Sequence, residues 1–65
     1  MKTKFKAGDL FYDSMHKKTG IILKVYNNYG YPWYKLQFFG DRITRESEAS
    51  YADYYFEPHK GDIGG

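Results

Sequence analysis

This chain contains short stretches rich in apolar residues, separated by polar segments that favour turns. Four of them lie at residues 10–12, 20–26, 33–39 and 54–57, and the register of a hairpin turn at residues 40–41 adds a further strand at 42–46. β-Branched and aromatic residues are frequent in them, whereas the segments between them carry Gly, Pro, Asn and Asp, which favour turns. Stretches of this length and period are typical of β-strands. The pattern therefore predicts an all-β domain of five short strands.

The alternation within these stretches assigns one face of each strand to a core. In the second stretch Ile21, Leu23 and Val25 recur at every other position, so all three are predicted to point inward. Ile22 breaks the strict alternation, which indicates either a bulge or a strand start that is buried on both faces. The predicted core consists of Leu10, Ile21, Leu23, Val25, Leu36, Phe38 and Ile43.

The dipeptide Gly40-Asp41 matches a two-residue hairpin turn that begins with glycine. Counting outward from the turn, the predicted pairs are Phe39 with Arg42, Phe38 with Ile43, Gln37 with Thr44, Leu36 with Arg45, and Lys35 with Glu46. The first pair suits a cation–π contact and the last an ion pair. Arg45 lies opposite Leu36 on the predicted core face, where a charged side chain is not expected, so we place it at the rim of the fold.

The remaining internal segments are predicted to be connections. Residues 13–19 are polar and predict a loop, and residues 27–32 predict a second one because Pro32 is unsuited to a central strand. Ser50 and Asp53 have the spacing of a capping box, which predicts one helical turn at that point.

The length and composition are those of one small domain, residues 1–65. Its first residues are expected to fray while Phe5 docks on the core, and residues 58–65 are expected to form a flexible tail. The chain has no cysteine, so neither a disulfide nor a thiolate metal site stabilises it. Its eight tyrosines are more than so small a core holds, and several are expected at the surface.

Charge and hydropathy narrow the cellular setting only slightly. The net charge of +2 and the pI near 8.8 are mild beside the dense basic stripe of dedicated nucleic-acid proteins. No stretch approaches the roughly 18 apolar residues of a membrane span, and no apolar segment follows the lysine-bearing start as in a signal peptide. We therefore expect no membrane partner and a cytoplasmic location, which for a viral protein means the host cytoplasm or the virion.

The order of these elements resembles that of SH3-like small barrels over residues 6–57. Gly8-Asp9-Leu10 and the stretch Gly-Ile-Ile-Leu-Lys-Val at 20–25 look like the openings of KOW and Tudor-like members. The whole sequence also resembles short uncharacterised proteins of tailed phages, including phages that infect cyanobacteria. The resemblance implies a five-stranded SH3-like barrel with one short helical turn.

Aromatic residues provide the predicted partner-binding surface. Tudor-like domains hold methylated lysine or arginine in an aromatic cage, and tyrosine and tryptophan dominate binding hot spots in general. The predicted contacts are Tyr12, Tyr29, Tyr31, Trp33 and Tyr51. The competing interpretation is that these rings only pack against the strands and cover one end of the barrel.

Basic residues provide a second predicted surface. KOW-type domains contact RNA through basic loops, and Lys17 and Lys18 lie where such a loop is expected. Sites for single-stranded nucleic acid in other folds add aromatic rings on which bases stack. The possible nucleic-acid contacts are Lys17, Lys18, Arg42 and Arg45. The competing interpretation is an ordinary solvated surface.

Neither a catalytic nor a cofactor motif is present in the sequence. His16 and His59 are expected to be exposed loop residues, and a metal site would need Asp9, Asp13 and Glu57 to converge with them. Neighbouring Ser, His and Asp in sequence do not make a triad, and no glycine-rich phosphate loop precedes a helix.

We therefore predict a non-enzymatic protein-interaction module without cofactor, and the resemblance to phage proteins implies an accessory or structural role in a phage. The alternatives are a weak KOW-type nucleic-acid binder and a small regulatory subunit of a larger enzyme. The sequence leaves the identity of the partner and the oligomeric state open.

Overall fold

A computed structural model describes residues 3–59 as one antiparallel sheet and one short helix. The strands are β1 (Leu10–Asp13), β2 (Lys18–Asn28), β3 (Tyr31–Phe38), β4 (Arg45–Glu48) and β5 (Phe56–Pro58), with helix α1 (Ala49–Tyr55) between the last two. The strand order is β4-β3-β2-β1-β5. The predicted number of strands and the presence of one short helix are confirmed, but the helix is longer than the predicted single turn and includes Tyr54 and Tyr55, which the sequence assigned to the last strand. Among the described residues β4 and β5 remain edge strands, so hydrogen bonds do not close the sheet into a barrel. Of the predicted flexible tail, residues 60–65 lie outside the described residues.

The connection between β2 and β3 is a tight turn, so the loop predicted at residues 27–32 is wrong. The turn consists of Tyr29-Gly30, whose φ angles of 55° and 80° are both positive, as a type I′ hairpin requires. Pro32 lies within β3 instead of in a loop. It is tolerated because β4 reaches only as far as Trp33 along β3, which leaves Pro32 with a strand neighbour on one side.

The register between β3 and β4 agrees with the sequence prediction. Leu36 faces Arg45 and Lys35 faces Glu46. The turn that joins the strands is longer than predicted, because residues 39–44 form no strand and the strand ladder begins only at Arg45. The predicted register is therefore correct, although the predicted two-residue hairpin turn is wrong.

The contacts predicted close to that turn do not form. Phe39 and Ile43 are exposed, and the described contacts include no cation–π pair between Phe39 and Arg42. Lys35 and Glu46 face each other without an ion pair in this part of the chain. Phe39 and Ile43 lie outside the strand ladder, so no backbone pairing holds them against the residues predicted to face them.

The core lies between the sheet and α1 and is largely aromatic. Phe11 stacks on Phe56 with ring centroids 4.2 Å apart and meets Phe38 edge-on at 5.5 Å. Phe5 packs against both rings of that stack, which confirms its predicted docking. The buried cluster consists of Phe5, Phe11, Ile22, Tyr34, Leu36, Phe38, Ala49, Ala52 and Phe56.

The predicted core is correct on β3 and partly wrong on β2. Leu36 and Phe38 are buried, whereas Leu23 is exposed and Ile22 takes the inward position instead. A register shift between Ile22 and Lys24 explains the change, because a bulge exchanges the inward and outward faces of the residues that follow it. Beyond the bulge Val25 packs against the core as predicted. Leu10 and Ile21 are only half-buried.

A hydrogen-bond network ties the N-terminal segment to α1. The buried phenol of Tyr34 donates to Asp53 at 2.6 Å and accepts from the backbone N–H of Phe5 at 3.1 Å. The Lys4 ammonium donates to the carbonyl of Phe56 at 2.6 Å. Asp53 therefore accepts a hydrogen bond from Tyr34 on β3. The predicted capping box of Ser50 and Asp53 does not form, because no side chain caps the helix.

This network gives the stability a specific dependence on alkaline pH. Burial raises the pKa of Tyr34 to about 12, and the hydrogen bond to Asp53 acts in the same direction. In the unfolded chain the phenol ionises near its ordinary pKa of 10. The contribution of Tyr34 is therefore complete below pH 10 and is lost as the pH rises towards 12.

We expect the urea midpoint of the wild type to fall more steeply between pH 10 and 12 than that of Tyr34→Phe. At pH 7 the variant should lose about 1–3 kcal/mol, because Asp53 and the Phe5 N–H lose a buried partner. Tyr54→Phe, at an exposed tyrosine, is the control and should keep the wild-type slope. Equal slopes in wild type and Tyr34→Phe would contradict this account.

Candidate functional site: a groove beside the β1–β2 turn

A surface groove lies between the β1–β2 turn, the β3–β4 pair and α1. One end, here called the basic end, has a volume of about 170 Å³ and is lined by His16, Lys18, Phe38 and Arg45. The other end, the apolar end, has a volume of about 190 Å³. The two ends share His16, Phe38 and Arg45. They therefore form one continuous site.

The floor of the groove belongs to the hydrophobic core. Leu36 and Phe38 alternate along β3 and point to its buried face, and Phe56 enters from the start of β5. All three are buried. Ser47 and Glu46 on β4 and Tyr51 on α1 form the wall of the apolar end. Because the floor is part of the packed core, the groove is preformed.

The buried carboxylate of Asp13 holds the turn that presents His16. One carboxylate oxygen accepts the backbone N–H groups of Met15 at 2.9 Å and His16 at 3.3 Å. The other accepts from Nδ1 of the His16 ring at 2.6 Å. Lys17 completes the turn with a positive φ of 58° and donates its N–H to the Asp13 carbonyl at 2.7 Å. The imidazole is thus fixed through Nδ1, which leaves Nε2 for a second partner.

Three basic side chains from separate elements converge over Phe38. The ammonium of Lys18 lies 5.7 Å from the centroid of the Phe38 ring, and the His16 ring meets the same ring at 6.4 Å in an edge-to-face arrangement. Arg45 contributes from β4, with Nε 3.7 Å from a carboxylate oxygen of Asp41. A guanidinium has five N–H donors, so this single contact leaves Arg45 able to bind another anion.

Side chains of α1 connect the helix to the β1–β2 turn at the rim of the groove. The Tyr51 hydroxyl lies 3.9 Å from the sulfur of Met15, and the Ser14 hydroxyl donates to the Tyr55 carbonyl at 3.0 Å. Tyr51 and Met15 are both exposed. They form an exposed contact at the apolar end of the groove, which Tyr51 lines.

The predicted partner-binding residues do not gather at one place. Tyr51 borders the groove, whereas Tyr29, Tyr31 and Trp33 belong to the hairpin at the opposite end of the long strand β2. Tyr31 and Trp33 alternate with buried Tyr34, so they point away from the face that α1 covers. On β1, Tyr12 alternates with two buried residues and also points outward.

The predicted nucleic-acid contacts are divided in the same way. Lys18 and Arg45 line the basic end. Lys17 and Arg42 are exposed neighbours that do not line it. Each lining residue thus has a nearby residue of the same type outside the groove.

Sequence reasoning missed the pairing of Asp13 with His16 and the part of Phe56 in the floor. The spacing Asp-x-x-His within a polar turn is the one local signal of the pairing, because Asp side chains commonly accept N–H groups two or three residues ahead. Phe56 carries no such signal, since its neighbours in the groove are far away in sequence. Over residues 3–59 no group of three or more metal-ligating side chains comes together.

Comparisons with known proteins add no relative to this description. The chain matches no protein-family model, no curated protein sequence and no solved structure. Within the described residues, no helix has the length and apolar character needed to cross a membrane. A function for the groove is therefore argued from its own side chains.

Proposed function

We propose that the protein is a non-catalytic protein-interaction module on a small SH3-like barrel, and that the groove binds a short peptide segment of its partner. The order β4-β3-β2-β1-β5, with a helix between β4 and β5, supports the barrel assignment. The observation that carries the function is the preformed groove, with a core-derived apolar floor, a tyrosine wall and a basic end. Apolar surface with a few convergent polar groups is what recognition sites generally combine.

The size of the groove indicates the form of the partner. Its two ends have volumes of about 170 and 190 Å³, so each is smaller than the roughly 300–1,000 Å³ of a small-molecule site, and only the two together reach the lower part of that range. A helix with side chains is about 10–12 Å across and would rest on the rim. An extended peptide with one side chain at each end suits these dimensions.

The test is a selection of random 12-residue peptides displayed on phage against the immobilised folded protein, followed by affinity measurement of the selected peptides. We expect Tyr51→Ala to weaken their binding by about tenfold or more, because tyrosine at a groove wall commonly acts as a hot spot. Tyr54→Ala is the matched control on the same helix, since Tyr54 is exposed and lies outside the groove. It should leave affinity within about twofold.

Thermal melts establish first that both variants are folded. If no peptide is selected, or if the two tyrosine variants bind alike, the groove is not the binding site. Loss of binding in Trp33→Ala alone would transfer the site to the β2–β3 hairpin.

A nucleic-acid function is the second candidate, because Lys18 and Arg45 converge beside an aromatic ring. Single-strand binders stack bases on exposed rings and lose affinity steeply with salt. The basic end, however, is lined by one aromatic ring, Phe38, whereas single-strand sites stack successive bases on several rings. Retardation of random oligonucleotides at physiological salt, abolished by Lys18→Ala, would favour this second candidate over peptide binding.

A further inference from the structure

The basic end of the groove is unusual in the chemistry of its lining. Of its four side chains three are basic, His16, Lys18 and Arg45, and the fourth is the ring of Phe38. His16 and Lys18 belong to the basic run at residues 16–18, and the fold brings Arg45 of β4 beside them. A cluster of donors around an apolar floor is suited to an anion with a planar or apolar stem.

The neighbouring carboxylates do not fill this end. Asp13 is buried and directs its oxygens to His16 Nδ1 and to two backbone N–H groups, so it orients the imidazole from behind. Asp41 contacts Arg45 at 3.7 Å, through Nε alone. Glu46 lines the apolar end and not the basic end. The ammonium donors of Lys18 and most of the guanidinium of Arg45 therefore remain for an anionic ligand.

The adjoining apolar end has complementary chemistry. Leu36, Phe38 and Phe56 form its floor, and Tyr51 forms one wall. A ligand that satisfies both ends carries an acidic group beside an apolar one, a short distance apart on one extended chain.

We propose that the groove selects an acidic peptide. The side-chain carboxylate of an Asp or Glu binds Lys18 and Arg45 at the basic end, and an apolar side chain next to it in the peptide occupies the apolar end. This inference rests on the proposed peptide-binding function and specifies its partner class. Charge complementarity is the argument, because charge-assisted hydrogen bonds from arginine and lysine to a carboxylate are stronger than neutral ones.

The chain supplies its own matched controls for this inference. Lys17 is adjacent to Lys18 but lies outside the groove, and Arg42 stands in the same relation to Arg45. Alanine at any of the four positions changes the net charge equally. A difference between members of a pair therefore reports the local site and not the overall field of the protein.

The experiment uses the selected 12-residue peptides and measures their affinity for the full chain by fluorescence polarisation. We expect Asp or Glu to be enriched next to an apolar residue. Lys18→Ala and Arg45→Ala should each weaken binding by about tenfold or more, whereas Lys17→Ala and Arg42→Ala should stay within about twofold. Replacing the acidic residue of the peptide by Asn or Gln should weaken wild-type binding and remove the difference between wild type and Arg45→Ala.

Each other outcome overturns a distinct statement. Selected peptides that depend on Tyr51 but carry no acidic preference, or equal effects of all four basic substitutions, would overturn the acidic-peptide inference and leave the peptide-binding groove in place. Failure to select any peptide would overturn both. Phosphorylated or oligonucleotide ligands that bind where acidic peptides do not would assign the basic end to phosphate and also overturn the inference.

Discussion

We expect Phe11→Ala to remove a large part of the free energy of unfolding of the protein. Phe11 is fully buried, stacks on Phe56 and contacts Phe38 and Phe5, so its ring joins three other aromatic residues of the core. Deleting a buried phenylalanine side chain costs about 3–5 kcal/mol. A domain of this length has a free energy of unfolding of about 3–10 kcal/mol. The melting temperature should fall by more than about 12 °C.

The matched control is Phe39→Ala, which deletes the same atoms from a ring that is 55% exposed. Its melting temperature should change by only a few degrees, because little apolar surface returns to water. Phe11→Leu should lie between the two, since leucine keeps part of the buried volume. A melt of Phe11→Ala that matches Phe39→Ala would show that β1 does not carry the core.

The same ring explains a glycine that the sequence analysis treated as the start of a strand. Gly20 pairs with Phe11 inside the β1–β2 ladder. A Cβ at Gly20 would lie 2.6 Å from the Phe11 ring and 2.5 Å from the carbonyl oxygen of Gln37. The position needs glycine because a ring occupies the space above it. The sequence pattern treated Gly20 as the first residue of a strand, whereas β2 begins two residues earlier, at Lys18. The local sequence does not show this, because the groups that exclude a side chain at Gly20 belong to β1 and β3.

The sequence was most informative where periodicity and pairing agreed. On β3 the inward positions of Leu36 and Phe38 and the pairing of Leu36 with Arg45 follow from a simple count of two along the strands. On β2 the same count fails, because residues 21–23 are all apolar and either register buries a branched side chain. The bulge between Ile22 and Lys24 decides between them, and nothing in the local sequence fixes its position.

The residues of the candidate site could be predicted from the sequence only in part, for a related reason. Lys18 and Arg45 were identified as basic candidates, but the topology, and not their type, separates them from Lys17 and Arg42. Likewise Tyr51 was grouped with Trp33, although α1 covers one face of the sheet and Trp33 points to the other. Residue type suggested which side chains make contacts, and the strand alternation and the helix position determined which of them act together.

The two leucines of the predicted core provide the second large test. Leu36 is 2% exposed and packs on β3 between Ile22 and Arg45. Leu23, at the bulge of β2, is 41% exposed. We expect Leu36→Ala to lower the free energy of unfolding by about 2–5 kcal/mol and Leu23→Ala to lower it by less than about 1 kcal/mol.

Urea unfolding followed by tryptophan fluorescence measures both changes, with Trp33 as the probe in each variant. The substitutions are chemically identical, so propensity and unfolded-state effects largely cancel and the difference isolates burial. Equal losses would mean that Leu23 faces the core and that β2 has no bulge, which would also turn Ile22 outward. A large loss for Leu36→Ala alone would agree with the bulged register, in which Ile22 faces the core and Leu23 lies on the surface. The test is sensitive because a one-residue change of register exchanges the two faces of a strand.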